Sequence, residues 1–362
     1  MAKISTTTWK LSPHTKAKHE ILKKYLQAWF PIMSRWNGRI LYIDGFAGPG
    51  VYKNGEPGSP VIAIHTAKEH KLKLNAKIVF WFIEAREDRC KHLKEILREM
   101  DLPDNMKYEV ECSKFDESLT SLFNYLDEQK KHIAPTFAFI DPFGYSHTPF
   151  SIISRIMNNK KCECLINFMS NRVDMTIFNS KIPEEHLDSL FGTEEWHFLK
   201  NIKDSKERME KISRFYQEQL KTVATYVRSF KMINKFNQQT CELFFCTNSI
   251  EGLKKMNDSM WNIDKTGNFK FSDRTDPHQT VLFELKPDYK MLKQFIINKF
   301  KGKEVSIQEL ENFVAIKGFK TSHLKIPILK PMEYANPPEI KILSSERCRK
   351  GVYPKGTIIK FL

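Results

Sequence analysis

The sequence predicts an α/β fold with a mostly parallel sheet, followed by a separate basic unit at the C-terminal end. Three observations carry that expectation. Apolar runs alternate with amphipathic helical stretches through the first half, the pattern of a sheet covered by helices on both faces. A glycine-dense turn, Asp44-Gly-Phe-Ala-Gly-Pro-Gly50, follows the first apolar run. The last 77 residues hold 16 Lys/Arg against 7 Asp/Glu, a net of +9 within a chain total of +15.

The elements follow in order. His19–Phe30 reads as an amphipathic helix, apolar at Ile21, Leu22, Tyr25, Leu26 and Trp29. Strands are expected at Ile40–Ile43, Ile78–Ile83, Tyr108–Cys112, Thr136–Ile140 and Cys164–Phe168, with helices at Pro60–Glu69, Asp88–Met100 and Phe115–Gln129 between them. Residues 171–235 are charged and read as a helical insertion, with Arg208–Arg228 as its clearest helix. The run "CELFFCTNS", a helix Gly252–Trp261 and the run Thr280–Leu285 are then expected to return to the first sheet as its last two strands. The expected domains are therefore 1–285 and 286–362.

In the second domain, helices are expected at Tyr289–Phe300, at Ser306–Ile316 and from about Thr321, followed by short strands in "EIKIL" and "TIIKF". Ser306-Ile-Gln-Glu309 has the form of a capping box. Pro327 and Pro331 each remove a helix hydrogen bond, so the third helix is expected to be short or kinked. Three helices and a two-stranded wing resemble a winged helix-turn-helix. Lys320 and Lys325 on the third helix, with Arg347, Arg349 and Lys350 in the wing loop, are the nucleic-acid-binding candidates. Such a module also serves protein contacts.

Bulk composition bounds the function. With 362 residues and 41% hydrophobic content the chain can bury one large core or two smaller ones. No window approaches the roughly 18 apolar residues of a membrane span, and the N-terminal residues lack the apolar core of a secretory signal. Seven cysteines lie scattered without zinc-site pairs, which predicts reduced thiols and a cytoplasmic location. The basic excess suits a polyanion through counterion release, or a solvated surface.

The chemistry concentrates at expected strand ends. The glycine loop lacks the Gly-Lys-Ser/Thr of a phosphate loop, and its G-x-x-G-x-G spacing is not that of a nicotinamide site. An acid opening such a loop suits a ligand with an amino group and no phosphates, such as S-adenosylmethionine (SAM). Asp44, Gly45, Phe46 and Gly48 are the candidate contacts. Glu84 ends the second run, where a carboxylate can accept from a ribose diol or sit as an acid at a helix N-terminus. Ser113 and Asp116 follow the third run, and either could reach an adenine amino group; Asp116 could equally cap a helix. Asp141-Pro-Phe-Gly follows the fourth run. Its acid would accept an exocyclic N–H while Phe143 stacks on the base, so these two are the catalytic candidates. Magnesium-dependent nuclease chemistry is a further alternative for such acids.

Together "YIDGFAGPG", "GSP" at Gly58–Pro60, "FIE" ending at Glu84, "FIDPFG", "CELFFCTNS" and "KKMNDSMWNID" resemble the three-Cys-motif partner proteins over nearly the whole chain. That resemblance implies a Rossmann-like class I SAM-dependent methyltransferase fold with a seven-stranded mixed sheet. It also implies a phage-type protein partner bearing three cysteines and related to radical-SAM enzymes. The Asp-Pro-Phe-Gly turn is similar to that of tRNA guanine-N2 methyltransferases and lacks the second proline of adenine-N6 and cytosine-N4 enzymes. By resemblance Lys16, Lys18 and His19, expected just before the first helix, contact the cofactor's carboxylate or the substrate; His19 could equally serve the helix N-terminus. The expectation is a methyltransferase acting on nucleic acid, RNA ahead of DNA. The alternative is a methyltransferase-fold companion subunit that has kept or lost SAM.

Overall fold

The computed structural model describes residues 6–144, 148–179, 183–234, 239–272, 287–344 and 349–362. Two compact units divide it through these residues, one from Met1–Ser249 with Lys270–Pro277 and the other from Ile250–Phe269 with His278–Leu362.

The first unit opens with α1 (Pro13–Trp36), longer at both ends than its apolar stripe. Ser12 caps it by accepting from the Thr15 N–H, and Pro13 occupies the first turn, where its missing donor costs nothing. Lys16, Lys18 and His19 therefore lie inside the helix and not before it. The alternation continues through β1 (Arg39–Asp44), α2 (Ser59–Lys68), β2 (Lys77–Ile83), α3 (Glu87–Arg98), β3 (Met106–Glu111), α4 (Phe115–Glu128), β4 (Thr136–Ile140), α5 (Phe150–Met157) and β5 (Glu163–Phe168). Then come α6 (Ser170–Ile177), α7 (Glu185–Phe191), a 3-10 turn Glu195–Asn201, α8 (Ser205–Val223), β6 (Tyr226–Ile233) and β7 (Gln239–Thr247). The helix expected over Arg208–Arg228 thus stops at Val223, and 226–233 is a strand. Phe230 and Met232 are buried around an exposed Lys231, a period of two that the charge of the region masks.

The sheet has eight described strands, in the order β3-β2-β1-β4-β5-β7-β6-β8, where β8 is Lys270–Ser272. This is a Rossmann-like α/β fold, with an eighth strand beyond the seven expected. β1 to β5 run parallel, and β7 is antiparallel to both neighbours. β6 fills the place expected of Thr280–Leu285, a run that lies outside the described residues. β4 and β5 are buried along their whole length, as strands covered on both faces must be. Edge strand β3 alternates instead, burying Met106 and Val110. α1 is tied to the sheet through buried Glu163, which accepts from Tyr25 and Thr247 hydroxyls at 2.6 Å each.

Because β1 leads outward to β2 and β4 leads outward to β5, the chain reverses direction across the sheet between β1 and β4. Ligands of open α/β sheets bind at the carboxyl ends of strands around such a point. α3 returns beside β3, bringing Cys90 and Cys112 to a Cα separation of 5.8 Å, and they form a disulfide. That corrects the expectation of uniformly reduced thiols; Cys162, Cys164, Cys241 and Cys246 are buried and lie outside that bridge.

The second unit holds α9 (Ile250–Ile263), α10 (Tyr289–Phe300), β9 (Glu304–Ser306), α11 (Ile307–Ile316), α12 (Ser322–Leu324), α13 (Lys330–Tyr334), β10 (Ile340–Ser344) and β11 (Ile358–Phe361). Its own core includes Trp261, Leu292, Ile296, Leu310, Leu324 and Ile359. A π-turn, Lys325–Leu329, joins α12 to α13. Pro327 lies within that turn and has no N–H to give, and the Lys330 N–H bonds back to the Lys325 carbonyl five residues away. The three strands pair in the order β10-β11-β9.

Candidate active site

A small cavity of about 40 Å³ lies at the carboxyl ends of β1 and β4. Its walls come from the glycine loop after β1, from His19 on α1, from Asp141 and Phe143 after β4, and from Trp9 of the segment preceding α1. Gly48 has φ +64, and a Cβ there would stand 3.7 Å from the Trp9 ring, so the indole sits over bare backbone. Gly45 is a glycine for another reason. A Cβ would meet the Phe115 ring at 2.5 Å, so packing dictates it.

Asp44 ends β1 and is fully buried. Its Oδ1 accepts from the Phe46 N–H at 3.3 Å, while Oδ2 has no hydrogen-bond partner among the described residues. Burial pushes its carboxyl up to about 7, against the opposing pull of nearby Ser59 and the Phe46 N–H. Glu84, after β2, accepts from the Gly48 N–H at 2.9 Å and the Arg86 N–H at 2.8 Å, which ties the glycine loop to the next strand's exit. Arg86 caps α3, so Glu84 stands two residues ahead of that helix and accepts from the cap residue's own N–H, as an acid at a helix N-terminus can. Each carboxylate oxygen keeps a free lone pair.

Asp141 is held quite differently. Lys18 donates to both its oxygens, at 2.7 and 2.6 Å, and the Asn167 amide of β5 donates to Oδ1 at 2.6 Å. His19, one residue on, is buried and lowered to about 4, first by desolvation and then by neighbouring Lys18. It is a neutral ring near neutral pH. Trp9 meets Phe143 and Tyr52 edge-on at 5.4 and 5.7 Å, and the Arg89 guanidinium lies 4.6 Å from the Trp9 ring and 5.4 Å from that of Phe143. The segment is pinned by Thr7 donating to Asp88 at 2.7 Å and by the Lys53 N–H donating to the Trp9 carbonyl at 2.9 Å.

The structure thus brings together Lys18, His19, Asp44, Phe46, Gly48, Asp141 and Phe143, with Glu84 bonded to the loop. Ser113 and Asp116 lie outside the cavity lining, and Asp116 falls in the first turn of α4, whose cap is Lys114. Lys16 is exposed. In the second unit Lys325 pairs with Glu311 at 3.0 Å, Lys320 is half-buried, and Arg349 and Lys350 are exposed. Arg347 lies outside the described residues. Sequence reasoning missed Trp9, Tyr52, Arg89 and Asn167. Trp9 carried a signal as a lone aromatic in a polar N-terminal stretch; Asn167 carried one as an amide in an apolar strand. Among the described residues no group of three or more His, Cys, Asp and Glu side chains is placed to hold a metal ion. No described helix is long and apolar enough to cross a membrane.

No family model and no curated protein matches the chain in sequence. Similar solved structures include Trm1 from Pyrococcus horikoshii in complex with SAM, at 13% identity and TM-score 0.37, covering 99% of this chain and 93% of that one. An O-methyltransferase from Bacillus cereus in complex with SAH is similar at 13% identity and TM-score 0.35, over 66% of this chain and 82% of that one. Protein LPL1258 from Legionella pneumophila is similar at 15% identity and TM-score 0.37, over 64% and 85% respectively.

Proposed function

We propose that this protein is a SAM-dependent methyltransferase acting on an exocyclic amino group of a nucleic-acid base, RNA ahead of DNA. The observation that carries the reading is Asp141, clamped by Lys18 and Asn167 beside Phe143 and sharing one cavity with the glycine loop that Asp44 opens.

The residues fit the cofactor chemically. Asp44 offers a buried, unpartnered carboxylate oxygen to a cationic amino group, and Gly48 leaves backbone bare beside it. Glu84 has lone pairs left for ribose hydroxyls. At about 40 Å³ the cavity is smaller than the roughly 300 Å³ at which ligand pockets begin, so the Trp9–Phe143 contact has to open on binding. Held there by Asp44, Gly48 and Glu84, SAM would supply a sulfonium-borne methyl group with a neutral thioether as its leaving group. Asp141 accepts one amino N–H, aims the nitrogen lone pair at the methyl, and receives the proton that the alkylated nitrogen sheds. Phe143, about half exposed, offers its ring to the base.

The second unit supports the nucleic-acid half. From α10 onward its order of helix, strand, three short helices and two strands, with the basic loop carrying Arg349 and Lys350, is consistent with a winged helix-turn-helix that grips phosphates. The resemblance to the three-Cys-motif partner proteins is consistent with the same reading.

Isothermal titration with SAM and a methyl-transfer assay on tRNA, rRNA and duplex DNA test the proposal. Asp141→Asn is expected to keep SAM binding and lose about 10²–10⁴-fold in rate, the range of a general acid–base contribution. No SAM binding at millimolar ligand would sink the cofactor assignment, and full activity in Asp141→Asn would sink the catalytic one.

A further inference from the structure

We infer that Asn167 is a positioning residue for this site, one that selects which oxygen of Asp141 meets the target amino group. The inference rests on the methyltransferase reading and makes it more specific.

β5 is buried throughout, and from Cys164 to Phe168 every side chain except Asn167 is apolar. Its Nδ2 donates to Asp141 Oδ1 at 2.6 Å, and its Oδ1 is buried with no partner among the described residues. The reverse amide orientation would set oxygen against oxygen, so the donor must be the nitrogen. A half-satisfied amide in a core is worse than an apolar side chain of similar size, so packing gives no reason for it.

Counting lone pairs gives the reason. Asp141 Oδ1 accepts from both Lys18 and Asn167, at 2.7 and 2.6 Å, which uses its two sites. Oδ2 accepts from Lys18 alone, at 2.6 Å, and keeps one site. The incoming N–H therefore has one address, Oδ2. Without Asn167 the two oxygens become equivalent under the Lys18 ammonium and the carboxylate is free to turn.

Asn167→Leu and Asn167→Asp, made in the full chain, test this. Asn167→Leu is expected to unfold at or above the wild-type temperature and to bind S-adenosylhomocysteine within twofold of wild type. Its kcat should fall about 10–100-fold with KM little changed, the cost of a misaimed but intact acceptor. Asn167→Asp sets a second carboxyl beside Asp141, and should move the acid limb of the kcat–pH profile upward by at least about half a unit. Because the exchange is near-isosteric, that shift reports contact between this side chain and the Asp141 carboxylate, and a side chain that does not touch the carboxylate in the working enzyme would leave the limb unmoved. Should Asn167→Leu fail to fold, the near-isosteric Asn167→Asp carries the test by its pH profile. Asn167→Leu turnover within threefold of wild type, or an unmoved acid limb in Asn167→Asp, overturns the inference. If the wild type methylates no nucleic acid, the methyltransferase reading fails separately. A crystal structure of Asn167→Leu then decides: a carboxylate turned about Lys18 upholds the positioning role, and an unmoved one overturns it.

Discussion

Asp44 and Asp141 stand at the ends of neighbouring strands, with Asp44 in register with Phe139, two residues before Asp141. They are the same residue type in different surroundings. Asp44 is buried with no cation bonded to it and one oxygen unpartnered, so its carboxyl rises to about 7. Asp141 is more open yet holds a lysine on both oxygens and an amide on one. The first is an acid waiting for a positive ligand, and the second is an acid already aimed. Environment assigns separate roles to a pair of carboxylates, which is how one site can hold a cation and orient an amine.

The largest expected effect comes from breaking the aimed acid's clamp. Lys18→Met removes the cation from a pair whose side chains are 6% and 17% exposed. Losing one partner of a fully buried pair costs about 3–5 kcal/mol, and the exposure of Asp141 places this pair at the low end. The double variant Lys18→Met/Asp141→Leu should recover most of the loss in urea unfolding. A single-variant cost below about 1 kcal/mol would show that the pair is not an energetic clamp.

Asp44→Asn tests the waiting acid, with a sign that depends on pH. The folded carboxyl titrates near 7 against an ordinary 3.8, so its contribution to ligand-free stability is present below about pH 4 and lost as pH rises through 7. The variant should therefore match wild-type stability at pH 4 and exceed it at pH 8. The ceiling is about 4 kcal/mol, at roughly 1.36 kcal/mol per unit. It should also lose SAM binding, while wild-type binding weakens as pH falls below 7. Equal stability at pH 8 would remove the contrast between the two acids.

Trp9→Ala acts on the cover above both. With the indole gone from Gly48 and Phe143, S-adenosylhomocysteine should associate several-fold faster in stopped flow; an unchanged rate would show that Trp9 is not the barrier. The smallest effect lies outside the first unit. Arg349→Ala and Lys350→Ala should each lower the salt slope of nucleic-acid binding by about 1 if each contacts a phosphate, with little change in methyl transfer on short substrates.

The strands that frame the site were legible because parallel central strands are apolar runs that end abruptly, and the acids at those ends stand out. β6 was not legible. Its alternation is short, lies among charged residues and directly follows the long helix α8. Resemblance points to Lys18 and strand-end position to Asp141, but not to their pairing, since 123 residues separate them. The Cys90–Cys112 bridge was hidden in the same way, because spacing alone does not say which helix returns beside which strand.

Local pattern alone thus determined the alternating architecture, the glycine turn, the strand-end acids and the basic character of the C-terminal unit. Each of these depends on residues within about one turn or one strand of one another. Tertiary structure alone decided which acid is clamped and which is orphaned, and that Asn167 and Trp9 belong to the site. Those are properties of distances between elements, and desolvation and lone-pair occupancy have no one-dimensional signature.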